Sequence, residues 1–222
     1  LRGPLRNLET AVSRCHLAVE DIVVSSYASA LGCLSDDEKK MGVTCIDMGG
    51  GTTSVAVFFD GELVHAQVLP LGGEHVTNDI SRGLVTPLIH AERMKTLYGN
   101  VLPSVSDDEQ VIQVPLMGDD PMDEGSAVPR SMLVSIVRPR VEEIFEQLRD
   151  RLVESGFDKV AGRGLVLTGG ASQLGGVAEL ASRILDKQVR LGRPLAMNGM
   201  PEAAAGPTFA TCRGLLHYGL GH

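Results

Sequence analysis

Residues 46–58 read IDMGGGTTSVAVF, and the fold turns on how that stretch is taken. A strand end, one aspartate, three glycines, two threonines and an alternating apolar run follow one another. Three consecutive glycines are costly to order, because glycine loses more backbone freedom on folding than any other residue. Glycines between two strands let backbone N–H groups face an anion, and threonine hydroxyls add donors at the same place. An aspartate at a strand end has the charge to hold a divalent metal that neutralises phosphates. Taken alone, the stretch reads equally as a tight β-hairpin carrying a surface aspartate.

Outward from this turn the punctuation is regular. The spacing predicts strands over 43–47 and 53–59. An Asp60-Gly61 turn, a strong hairpin signal, leads into a further strand over 62–69. Upstream, residues 5–18 place Leu5, Leu8, Val12, Cys15 and Leu17 near helical spacing. The apolar run at 22–24 reads as a short strand, 26–34 as a small-residue helix, and SDDEKK at 35–40 as a solvated loop. Downstream, helices are expected over 75–84 and 87–98. An acidic stretch follows over 104–130, with Pro115, Pro121 and Pro129 and a strand-like VIQVPL inside it. The longest helix is expected over 131–155, bent at Pro139. Its stripe is Met132, Leu133, Ile136, Val137, Val141, Ile144, Phe145, Leu148 and Leu152. A strand at 164–168, a glycine turn, a helix at 175–186, a strand at 188–191 and a helix at 203–218 complete an α/β pattern.

The 222 residues are 43% hydrophobic and 22% charged, an ordinary globular balance with material for a sizeable core. A net charge of −8 disfavours a general nucleic-acid or anionic-membrane surface. Cys15, Cys33, Cys45 and Cys212 form no CxxC pair and no metal-ligand cluster, which favours a reducing cytoplasm over a disulfide framework. The six histidines show no triad or ligand spacing, and there is no GxSxG. The eight methionines read as core filler. No stretch approaches the ~20 apolar residues of a membrane-spanning helix. The opening LRGPLRNLET is neither an initiator methionine nor a signal peptide, so the segment is expected to belong to a longer protein.

Two further motifs carry chemistry. In LVLTGGASQLGG (165–176) a strand again runs into paired glycines and a helix, which also reads as an ordinary strand–turn–helix with Ser172 as cap. In AERMK (91–95), Glu92 and Lys95 share a helix face, either as a surface ion pair or as contacts to a ribose and a base.

Together these segments resemble the actin/sugar-kinase/heat-shock-chaperone ATPase superfamily, in which a ribonuclease H-like lobe carries an inserted α+β subdomain. IDMGGGTTSVAVF is similar to its second phosphate loop, LGGEHVTNDI to its Gly-Gly helix start, AERMK to its adenosine-side helix and LVLTGGAS to its adenosine loop. Within the superfamily the likeness is to the FtsA family of bacterial cell-division proteins. It is carried by residues 25–58, 68–87, 91–100, 165–181 and the terminal GLLHYG, and leaves 101–130 poorly matched.

The resemblance implies ATP and Mg²⁺ as cofactors. Asp47 would lie near the metal, with Gly49, Gly50, Gly51, Thr52 and Thr53 on the β/γ-phosphates and Gly73 near the nucleotide. Glu92 and Lys95 would contact ribose and adenine, Gly169, Gly170 and Ala171 would pack on the adenosine, and Ser172 would meet the adenine edge. It further implies a polymerising adaptor at the cytoplasmic face of the inner membrane at the division site. Its partners would be the FtsZ C-terminal tail, other copies of itself and other divisome proteins. It would reach the membrane only through a helix missing from this chain. Arg82, Arg93, Lys95, Arg130, Arg138 and Arg140 would attract an acidic tail, or form a solvated surface. The lobes divide as 1–40 and 191–222 (first-lobe remnants, the former with the interdomain helix), 41–74 and 150–190 (second-lobe core), and 75–149 (the inserted nucleotide-side subdomain).

Two departures bear on chemistry. Chaperone-type members have an aspartate where Ser54 stands, and VVSSYASAL supplies only Ser25 and its serine neighbours where a water-positioning residue is usual. An attacking water then lacks a base, and at most weak ATPase activity is expected. The first phosphate loop finds no match N-terminal to residue 43. The competing readings are an MreB- or pilus-type scaffold and a sugar or carboxylate kinase of the same superfamily.

Overall fold

Alternation along three neighbouring strands builds two cores on opposite faces of one sheet. The computed structural model describes residues 2–118 and 125–221; Pro121 and His222 lie outside them. The helices are α1 (Arg2–Arg14), α2 (Ser25–Cys33), α3 (Asp36–Met41), α4 (Gly73–Leu84), α5 (Leu88–Tyr98), α6 (Arg130–Glu154), α7 (Val177–Leu185) and α8 (Ala210–Gly219). The strands are β1 (Val43–Met48), β2 (Thr53–Phe59), β3 (Glu62–Leu69), β4 (Val111–Val114), β5 (Ser126–Pro129), β6 (Gly164–Thr168) and β7 (Gln188–Leu191).

The main sheet runs β3-β2-β1-β6-β7. Its first three strands are antiparallel, and β6 and β7 continue parallel to β1. Side chains alternate across a strand. Ile46, Met48, Val55, Val57, Leu165 and Leu167 therefore pack into the larger core with α4, α6 and α7. Cys45, Ala56, Phe58 and Val166 face the other way, onto Ala30, Cys33 and Leu34 of α2 and its connection and Ala210 of α8. Asp47 shares the parity of Cys45, so it too faces α2 and α8. Those helices cross closely: a Cβ on Gly214 would lie 1.6 Å from the Ala28 carbonyl oxygen, and one on Gly32 2.0 Å from that of Ala210.

The two-stranded sheet β4–β5 sits beside the start of α6. The larger core runs without a break from β1 to Ile112 and Val114 of β4 and Leu133 of α6. Among the described residues no helix is long and apolar enough to cross a membrane.

Several expectations are corrected. Residues 22–24 form no strand: Ile22 and Val24 are exposed, and no neighbouring strand offers a ladder. Residues 36–41 are helical rather than loop, because Ser35 and Glu38 form a reciprocal capping box. The Ser35 amide donates to Glu38 Oε2 at 2.9 Å, and Arg190 grips both Glu38 oxygens at 2.6 and 2.7 Å. Helix α6 keeps Pro139 inside it, as expected. Of its predicted stripe, Met132 is exposed and Ile136 only partly covered. The helix expected at 203–218 is broken at Gly206-Pro207, where two short 3₁₀ turns precede α8. Only Met48 and Met94 are core methionines among those described; Met41 and Met117 are exposed.

Candidate nucleotide-binding site

The glycine turn after β1 closes on itself, with the Gly49 amide donating to the Thr52 carbonyl at 2.9 Å. Its carbonyls then receive the start of α4: Gly73 N–H donates to Gly49 O at 2.9 Å and Glu74 N–H to Gly50 O at 2.8 Å. A Cβ on Gly72 would stand 2.4 Å from Gly50 O, so only glycine fits there. Two of the four orphan amides at the N-terminus of α4 are thereby occupied. The amides of Gly50, Gly51 and Thr52 meet no protein acceptor among the described residues, leaving three consecutive donors.

The second glycine turn sits beside the first because β6 pairs parallel with β1, Thr168 level with Asp47. Gly169 has φ +88°, a left-handed conformation that favours glycine. A Cβ there would also lie 2.3 Å from Asp47 Oδ1. On the opposite carboxylate oxygen, Ser29 Oγ donates to Asp47 Oδ2 and Thr211 Oγ1 donates to it at 3.0 Å.

Between the two turns and α5 lies a cleft of about 510 Å³, within the size range of ligand sites, about 300–1,000 Å³. Gly49, Gly50, Gly73, Glu92, Lys95, Gly170 and Ala171 of the expected set line it. Val76, Val141 and Ile144 form an apolar part of the wall. Lys95 Nζ donates to Glu92 Oε2 (2.7 Å), Thr77 Oγ1 (2.9 Å) and Gly73 O (3.0 Å), tying α5 to the start of α4. Burial pushes the Glu92 carboxyl up, but the hydrogen bonds from Lys95 and Thr77 outweigh it and hold the group below the usual carboxylate range.

Other expected residues lie outside that lining. Gly51 and Thr52 are exposed at the loop tip. The Thr53 hydroxyl is buried and donates to Leu71 O at 2.8 Å. Ser172 is buried as well, with its hydroxyl turned onto Gly169 O at 2.7 Å, so it shapes the turn and does not open to the cleft. Gly169 and Asp47 stand behind the lining, against each other. The polar side chains of this lining that sequence reasoning missed are Thr96, Gln173 and Thr208, the last two joined by a hydrogen bond of 3.1 Å from Gln173 Nε2. Gln173 belongs to LVLTGGASQLGG; Thr208 comes from a distant segment with no local signal.

The family model described as "Cell division protein FtsA" matches residues 44–214. The chain belongs to the FtsA family. The FtsA of Rhizobium meliloti is 51% identical over 217 residues, covering 98% of this chain and 49% of the relative. That of Pseudomonas aeruginosa is 41% identical over 215 residues (97% and 51%), and that of Escherichia coli K12 36% over 221 residues (96% and 52%). The chain thus spans about half the length of the curated FtsA relatives it matches. Among solved structures, MreB5 of Spiroplasma citri bound to ADP superposes with a TM-score of 0.74 at 18% identity, covering 96% of this chain and 64% of that one. The PilM–PilN type IV pilus biogenesis complex matches with a TM-score of 0.72 at 21% identity (97% and 57%). The fold of this FtsA-family chain is therefore actin-like, as the resemblance implied.

Proposed function

We propose that this chain is the nucleotide-side part of an FtsA-type adaptor, which binds Mg-ATP, polymerises and links the FtsZ ring to the inner membrane at the division site. The observation that carries the nucleotide reading is the cleft itself: paired glycine turns on adjacent parallel strands, three free amide donors, and Glu92 and Lys95 on the facing helix. The MreB5 structure with the same fold was crystallised with ADP.

The residues also suit the metal. Among the described residues no three His, Cys, Asp or Glu gather into a cage. A single carboxylate, Asp47, fits a magnesium held chiefly by phosphate oxygens and water. Such an ion would neutralise phosphate charge. Asp47 would sit near its waters, while the amides of Gly50, Gly51 and Thr52 would take the phosphates. Ser172 would act by holding the adenosine turn, with Gln173 and Thr208 as the polar groups at its rim.

We read hydrolysis as weak or absent. Ser54 sits opposite Asp47 in the β1–β2 ladder and is buried, and Ser25 and Ser26 carry no basic group. Among the described residues, the one carboxylate in the cleft lining, Glu92, is held by Lys95 and Thr77. This also disfavours a sugar or carboxylate kinase, which needs a free base.

In this reading 41–74 and 150–190 are the second-lobe core, 75–149 the inserted subdomain, and 1–40 and 191–222 first-lobe remnants. Leu5, Leu8, Ile22 and Leu216 are exposed apolar residues in those remnants, a surface suited to the rest of a protein of the relatives' length.

The FtsZ tail would meet 75–149. Four of the six basic residues are engaged internally: Lys95 with Glu92, Arg130 with Asp107, Arg138 with Glu142, and Arg140 with Asp79 and Glu143. Arg82 and Arg93 are the two with no ionic partner among the described residues. A pull-down on an FtsZ C-terminal peptide tests this, using protein expressed from its complete gene. The double variant Arg82→Glu/Arg93→Glu is expected to lose capture while staying folded; undiminished capture refutes the placement.

A further inference from the structure

Three elements distant in sequence converge on one carboxylate oxygen. Asp47 is the penultimate residue of β1, Ser29 lies in the middle of α2, and Thr211 lies in the first turn of α8. Both hydroxyls reach Asp47 Oδ2 and lie 2.7 Å from each other. Each hydroxyl carries one proton. Directed to the carboxylate, those protons make charge-assisted bonds, which are about twice as strong as neutral ones. The competing acceptors are neutral: the Ser25 carbonyl 2.8 Å from Ser29 Oγ, and the other hydroxyl of the pair at 2.7 Å.

The other oxygen is treated differently. Oδ1 packs against Gly169, 2.3 Å from where a Cβ would stand, and accepts no hydrogen bond among the described residues. Two donors on Oδ2 and none from Gly169 on Oδ1 fix the rotation of the carboxylate, so that Oδ1 is the acceptor left for an incoming group. The donors themselves cannot drift, because α2 and α8 touch backbone to backbone at Gly32 and Gly214. The start of α8 is pinned in turn. The Pro207 carbonyl accepts from both the Gly169 amide and the Thr168 hydroxyl at 3.2 Å. Thr208, one residue on, lines the cleft on the adenosine side.

We infer that Ser29 and Thr211 are positioning residues that aim Asp47 Oδ1 at the hydrated metal, and that the 207–211 segment joins this aim to the adenosine end of the cleft. The inference rests on the Mg-nucleotide reading above. It assigns to α2 and α8 a role that no phosphate or adenosine motif contains. A purely structural hydroxyl cluster would satisfy Asp47 without affecting how the metal contributes to binding, and this separates the two possibilities.

The test uses protein expressed from its complete gene. ADP affinity is measured by calorimetry in excess Mg²⁺ and in EDTA, for wild type, Ser29→Ala, Thr211→Val and Thr211→Ser. Loss of one bond to a charged group corresponds to roughly a ten-fold change in an equilibrium constant. Ser29→Ala and Thr211→Val are each expected to lower the Mg²⁺/EDTA affinity ratio about ten-fold, with affinity in EDTA unchanged. Thr211→Ser keeps the hydroxyl and is expected to keep the wild-type ratio. Should Ser29→Ala fail to fold, the Thr211 pair decides alone. A ratio unchanged or raised in Thr211→Val, or affinities falling equally with and without Mg²⁺, overturns the inference and leaves the nucleotide reading intact. Wild-type binding that ignores Mg²⁺, or no wild-type binding, overturns both.

Discussion

Thr211 Oγ1 lies 3.0 Å from Asp47 Oδ2, although 164 positions separate the two residues in the chain. The contact exists because β1 and α8 are brought together on one face of the sheet, over the small core that Phe58, Cys45 and Ala210 fill. A site built this way depends on the whole fold, and its parts respond differently to mutation.

The glycines provide the first contrast. Gly72→Ala sets a Cβ 2.4 Å from the Gly50 carbonyl oxygen, a backbone atom that cannot swing away. Overpacking of this kind costs about 1–3 kcal/mol, and urea unfolding is expected to show it. A Cβ on Gly51 meets nothing within 4 Å, so Gly51→Ala is expected to stay within about 0.5 kcal/mol of wild type.

Acid stability tests the Glu38 clamp. Burial pushes this carboxyl up, but the Arg190 guanidinium and the Ser35 amide outweigh it and hold the group below its ordinary range. The folded state therefore binds the proton less readily than the unfolded state. The stabilisation is present above the unfolded carboxylate pKa of about 4.3 and is lost as pH falls through the lower folded value. The pair is partly open to solvent, so its worth is below about 1 kcal/mol. Urea midpoints at pH 6 and pH 3 are expected to converge more in Glu38→Gln than in wild type.

Thiol reactivity tests the α2–β1 contact. Cys33 and Cys45 are buried with their sulfurs 3.8 Å apart, while Cys15 and Cys212 are exposed. The hydrogen bond to Cys33, then burial, push the Cys45 thiol well above its ordinary pKa. An aromatic disulfide reagent at pH 8 is expected to titrate only Cys15 and Cys212 in the native protein, and Cys33 and Cys45 as well in denaturant.

Turnover is expected to be slow. Phosphate release by protein from the complete gene should stay at least a hundred-fold below the ordinary enzyme median of about 10 s⁻¹. A rate near that median would restore the kinase or ATPase reading and require a base that the cleft does not show.

Much of this was legible where local chemistry punctuates the chain. The Asp60-Gly61 turn, both with positive φ, and the paired glycines fixed the hairpin and the two junctions that hold the cleft. Helix α3 was missed because SDDEKK reads as charge, while the Ser35-x-x-Glu38 cap that nucleates it was overlooked. The 22–24 run was misread because apolar residues make a strand only when a ladder partner exists. The resemblance places Ser172 at the adenine edge; in the structure its hydroxyl turns inward to Gly169. Thr208 and Thr211 carry no local signature, and Ser29 stands out only as one of the serines of VVSSYASAL; the packing of α8 against α2 gathers them.

The most direct test is amide hydrogen exchange on protein from the complete gene, with and without Mg-ATP. The account predicts slowed exchange over residues 49–53, 91–99 and 168–175, and little change over β4 and β5. Protection absent from those three segments at saturating Mg-ATP, or confined to 111–129, would contradict it.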